Sequence, residues 1–172
     1  ITPDLVALSK GFGGGYAPLG AMVARGDMVE AVLDAGGFLH GFTSAGNPLS
    51  CAAGLAVLDE IERMDLVRNA ADVGAQLTGK LKLRIDEHQA IGDVRGLGLF
   101  IGVDMVKNRT SKEPDRAMAA LVSDRLKDKG FLVSHAGKYS NVLKIRPPLV
   151  FSSDDADAFL AAFDECMASI GG

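Results

Sequence analysis

Cysteine is scarce here: the 172 residues hold two, Cys51 and Cys166, and their separation matches neither a metal-ligand nor a redox motif. They read as buried thiols in a reducing compartment, which makes the cytoplasm the expected location. The three histidines, His40, His88 and His135, stand too far apart for ligand spacing, so no metal is expected. Positive charge is also short, with 18 Lys and Arg spread along the chain against 22 Asp and Glu. Without a basic stripe, nucleic acid is not an expected partner. No apolar run approaches the roughly 20 residues of a membrane-spanning helix, so no membrane partner is expected either. Internal repeats and low-complexity tracts are absent. What is present, 48% hydrophobic and 23% charged residues, is the composition of a folded globular chain rather than a disordered one.

The most informative stretch runs from Leu5 to Ala24. Leu5 to Leu8 reads as a short buried strand, closed by Ser9 and followed at once by Lys10. Four glycines then fall between Gly11 and Gly15, and a second apolar strand spans Ala21 to Ala24. A lysine between a buried strand and a flexible glycine loop is partly desolvated, which favours a nucleophilic amine able to form a Schiff base with a carbonyl. The same spacing suits a surface lysine beside a turn, and the residues alone leave both readings open. A dinucleotide-binding loop fits poorly: the third glycine would fall on Tyr16 or Pro18.

Further along, Gly26-Asp27 starts a short helix to about Leu33, with Asp27 as the expected cap. Asn47 and Pro48 are a good N-cap and first residue for a helix to about Arg63, and its small residues suggest close packing against other backbone. A longer helix from about Asp65 puts Leu66, Ala70, Val73, Leu77 and Leu81 on one face. It is expected to cross between domains, with the boundary after residue 73. Ile91 to Gly98 reads as a turn-rich joint, Leu99 to Val106 as a strand and Asp115 to Lys129 as a helix. Phe131 to Ser134 and Asn141 to Ile145 read as short strands. Ser152 to Asp155 opens a last helix, which buries Ala156, Phe159, Leu160, Phe163 and Met167.

Four stretches, Pro3 to Ala21, Thr43 to Ala53, Ile91 to Leu99 and Asn141 to Leu149, come in an order that resembles the class III pyridoxal-phosphate-dependent aminotransferases and cover nearly the whole chain. The resemblance implies a type I pyridoxal-phosphate fold in the α/β class. Residues 1–73 would be the C-terminal part of its large domain and residues 74–172 its small C-terminal α/β domain. Because the chain opens on Ile1, and the family's cofactor lysine lies well past mid-chain, a C-terminal portion of a longer protein is expected. The aspartate that meets the pyridine nitrogen, the phosphate-binding glycine–serine loop and the stacking aromatic all precede that lysine in relatives.

By the same resemblance, the cofactor is pyridoxal 5'-phosphate and Lys10 is the catalytic residue that holds it. Thr43 matches a threonine that donates to the cofactor phosphate of the neighbouring subunit, which implies a homodimer with shared sites. A helix starting at Pro48, with free amides and a favourable dipole, would help hold that phosphate. Arg95 could be a structural ion pair or a substrate contact, and no catalytic role is assigned to it. Many relatives place a carboxylate-gripping arginine where this chain has Lys144, with Arg146 two residues on and on the same strand face. Lysine is a point charge rather than a planar fork. The substrates expected are a small-molecule amine and a keto acid. An aminotransferase is expected first, a phospholyase on the same fold second, and a non-catalytic α/β dimerisation module third.

Overall fold

The computed structural model describes residues 2–170. They divide into two compact units after Met64.

The first unit is built on a two-stranded antiparallel sheet of β1 (Leu5–Leu8) and β2 (Ala21–Ala24), with Leu5 opposite Ala24 and Leu8 opposite Ala21. A 3-10 turn, Lys10–Gly13, lies between them. Helices α1 (Gly26–Asp34) and α2 (Pro48–Arg63) follow. Helix α1 lacks the expected Asp27 cap. Arg25 occupies that position, and Asp27 accepts from its guanidinium at 3.0 and 2.5 Å instead. Helix α2 starts as expected: Asn47 Oδ1 accepts from the amides of Leu49 and Ser50. The expected burial of β1 is not found. Leu5 is 49% exposed, and Val6 and Leu8 are open too, because a lone two-stranded ribbon has no third layer to cover it.

The second unit is a sheet with helices on one face. Its strand order is β3 (Ile91–Leu97), β4 (Phe100–Asn108), β7 (Val142–Ile145), β6 (Ser134–Ala136), all antiparallel, with β5 (Glu113–Pro114) beside β4. Helices α3 (Leu66–Glu87) and α4 (Arg116–Asp128) cover the sheet, and α5 (Ser153–Ala168) packs on both helices. Strand alternation sends Val94, Ile101, Val103, Leu143 and Ile145 inward, where they meet Leu77, Leu81, Val122, Leu126 and Phe163. The stripe expected on α3 is this contact. It begins at Leu66, so the whole helix belongs to the second unit and the division falls earlier than residue 73. A capping box fixes the start of α5, Ser152 and Asp155 each bonding the other's backbone amide.

Two readings of this unit are corrected. Ile91 to Leu97 is a strand, not a turn-rich joint. Its glycines answer to crowding: a Cβ at Gly92 would stand 2.6 Å from Val106 Cγ1, and one at Gly96 2.6 Å from the Phe100 carbonyl oxygen. Strand β6 begins at Ser134 rather than Phe131, because Ser134 to Ala136 is the segment that pairs with β7.

Candidate active site

Lys10 follows β1 directly. Ser9 is extended, then Lys10 turns into the left-handed region at φ 55° and opens the 3-10 turn. The Phe12 amide donates to the Ser9 carbonyl at 3.3 Å, and Gly14, at φ 62°, closes the turn onto the Gly11 carbonyl at 3.0 Å. A non-glycine residue held at positive φ carries strain of about 1–3 kcal/mol, a condition concentrated at functional sites. Sequence reasoning could not see it. Nor is Lys10 desolvated as expected, since its side chain is exposed.

The lysine lies on a cleft of about 860 Å³, together with Tyr16, Phe42, Ser44, Asn47 and Ser50. Asn47 and Ser50 reach it from one face of α2, three residues apart. Ser44, Ser50 and Tyr16 were not singled out by sequence, although Ser44 and Ser50 lie inside the second matched stretch. Thr43 is exposed and does not line this cleft, while Phe42 and Ser44 on either side of it do.

The α2 N-terminus differs from expectation. Pro48 has no amide proton, those of Leu49 and Ser50 go to Asn47 Oδ1, and that of Cys51 goes to the Asn47 carbonyl. No free first-turn amide remains there for an anion, and only the dipole is left. Cys51 is exposed rather than buried, whereas Cys166 is buried, and burial pushes its thiol up.

In the second unit, Arg95, Gly102, Lys144 and Ser134 form one row across the open sheet face. Arg95 is occupied: it donates to both Asp104 oxygens at 2.7 and 3.0 Å and to Asp93 at 2.8 Å. Hydrogen bonds to Asp104, then Asp93, push its guanidinium further up. Ile145 points into the core as expected. Lys144 and Arg146 share a groove of about 270 Å³ with Lys127, Ser134 and Asp124. Lys127 takes Asp124 and Asp128 at 3.8 and 3.6 Å, and the Asp155 carboxylate serves its own helix. Among the described residues neither Lys144 nor Arg146 is in an ion pair. No cluster of metal-ligating side chains occurs among the described residues.

Residues 1–167 match the family described as Aminotransferase class-III. The chain is 41% identical over 170 residues to an alanine–glyoxylate aminotransferase 2 homolog from Arabidopsis thaliana named as mitochondrial, covering 99% of this chain and 35% of that protein. The fold is similar to a phospholyase from Arthrobacter in complex with phosphoethanolamine, with TM-score 0.91, 34% identity, and coverage of 98% of this chain and 39% of that one. An amine transaminase from an uncultivated Pseudomonas species, in its PLP-bound form, superposes with TM-score 0.89 at 35% identity over 97% of this chain and 38% of that one. The fold is therefore that of the type I pyridoxal-phosphate enzymes, of whose length this chain spans a little over a third. The family depends on pyridoxal phosphate. The residues at the cleft fit the aldehyde end of that group: a primary amine on a strained turn, with three serines, Ser9, Ser44 and Ser50, and the Asn47 side chain lining the same cleft.

Proposed function

We propose that this chain, which belongs to the class III aminotransferase family, supplies the cofactor lysine and the substrate-anion contacts of an enzyme that moves an amino group from an amine or amino acid to a keto acid. The observation that carries this reading is Lys10, a primary amine on a positive-φ turn at the rim of a cleft whose mainly apolar wall carries a few hydroxyl and amide groups. Pyridoxal phosphate, when bound, supplies the electron sink that takes up the pair released at the substrate carbon. Lys10 Nζ would hold the aldehyde end of that group, and as a free neutral amine it would take the proton from the substrate carbon as a base and give it back as an acid.

Thr43 lies outside the cleft of its own chain, which supports its use in the site of a second copy, where its hydroxyl donates to the cofactor phosphate. The working form is then a homodimer. Lys144 and Arg146, in no ion pair among the described residues, take the substrate anion. A cytoplasmic location goes with this reading.

A phospholyase is the second reading. Lys144 in place of the family arginine favours it, and so does the likeness to the Arthrobacter enzyme. Incubation of the loaded protein with phosphoethanolamine separates the two. Phosphate release without an amino acceptor marks the lyase; a carbonyl product with aminated cofactor marks the transferase. Absence of any visible cofactor band would leave the dimerisation module.

A further inference from the structure

The turn carrying Lys10 packs on helix α2 around two side chains, Leu19 and Val57. Gly13 is buried, and a Cβ there would stand 3.4 Å from Leu19 Cβ. On the helix side, a Cβ at Gly54 would overlap Leu19 Cδ2 and stand 3.6 Å from the Phe12 carbonyl oxygen. Three residues on, Val57 Cγ2 fills the space of a Cβ at Gly14, 2.8 Å away. Gly54 is buried although its neighbour Leu55 is 63% exposed. Asn47, Ser50, Gly54 and Val57 recur at helical spacing, so one face of α2 both lines the cleft and receives the turn. Leu19 also lines that cleft.

We propose that Leu19 and Gly54 are positioning residues for Lys10. The Leu19 side chain, seated where Gly54 has none, clamps the 3-10 turn against α2. The clamp holds Lys10 at its positive φ, and so sets the direction of its amine. Nothing in the local hydrogen bonding does this alone. The turn has single backbone bonds at 3.0 to 3.3 Å, and Lys10 left free would relax to negative φ. The inference rests on Lys10 being the cofactor lysine, but its geometry can be read without cofactor.

The test compares Gly54→Ala, Leu19→Ala and the paired Gly54→Ala/Leu19→Val in the natural protein carrying this chain. The pair moves one methyl group from the knob to the hole and nearly conserves volume. In cofactor-free protein, the rate of reductive methylation of Lys10 is measured against exposed Lys82 by peptide mass mapping. In loaded protein, the visible absorption band and kcat/KM are measured. Each single variant is expected to change the Lys10 to Lys82 ratio severalfold, weaken the band and lower kcat/KM by about 10- to 100-fold, the scale of an ångström misplacement. The paired variant is expected to restore all three. Should Gly54→Ala fail to fold, Leu19→Ala and the pair carry the comparison. An unchanged methylation ratio in well-folded single variants overturns the inference, as does a pair that melts normally yet leaves the ratio altered. Pyridoxyl labelling of Lys10 in the unmutated protein reports separately on the proposed function: its absence removes that reading while the methylation ratios still decide the clamp.

Discussion

Arg95 reaches diagonally across the β3–β4 ladder to Asp104 in a two-point ion pair, its two terminal guanidinium nitrogens within 3.0 Å of a carboxylate oxygen. Asp93 adds a third bond to the same guanidinium. An arginine bound this way has little left to offer a substrate. Of the two readings its sequence allows, the geometry favours the structural one.

Arg95→Met is accordingly expected to lower stability rather than substrate discrimination. The pair is largely solvent-facing, Arg95 being 54% exposed, so the loss should be about 1 kcal/mol or less. Thermal melts of Arg95→Met and Asp104→Asn check this, and the relative kcat/KM for carboxylated and uncarboxylated amines should not move. A change in that ratio without a change in melting would make Arg95 a substrate contact.

For Lys144 and Arg146 the expectation is reversed. Both lie in one groove whose carboxylate, Asp124, pairs with Lys127 instead, and two neighbouring cations favour an anion between them. Neutralising either to Met should remove a charge-assisted contact of about 1.5–3 kcal/mol from carboxylated or phosphorylated substrates only. Steady-state kinetics on matched amines with and without the anionic group measures it. An unchanged ratio in both variants would show that neither residue reads a substrate anion.

The start of α5 gives a pH dependence. Bonds from the Ser152 backbone amide, then from its hydroxyl, hold the Asp155 carboxyl below the usual carboxylate range. A depressed carboxyl contributes stability that is present above its unfolded pKa and is lost as pH falls through the folded value. The melting temperature should therefore fall on acidification, and Asp155→Asn should flatten that part of the curve. At neutral pH, Ser152→Ala should cost about 1 kcal/mol through the lost cap. Parallel pH profiles of parent and Asp155→Asn would argue against this assignment.

Two helix caps and the buried stripes were legible in the sequence because they are local, whereas the cap expected at Asp27 is absent because that carboxylate binds the Arg25 guanidinium. Asn47-Pro48 and Ser152 to Asp155 mark the starts of α2 and α5, and the spacing of Leu66, Val73, Leu77 and Leu81 gives the face of α3. The β3 strand was not legible. Its glycines resemble a turn until Val106 and Phe100 are seen in the space their side chains would need. The site was half legible. Glycines around Lys10 suggest a flexible loop, but not that the lysine itself takes a positive φ. Asn47 was recognised as a cap, yet that cap consumes the amides otherwise credited with holding a phosphate. Burial of Leu5 to Leu8 could not be judged from their own pattern, because burial depends on what lies over them.

The central claim is that Lys10 holds the cofactor, and covalent trapping tests it most directly. The natural protein carrying this chain is loaded with pyridoxal phosphate, reduced with borohydride, digested and mapped by mass spectrometry. The account expects the pyridoxyl group on Lys10, and expects Lys10→Ala to lose both the label and the visible band. A label on Lys138 or Lys144, with Lys10 unmodified, would contradict it.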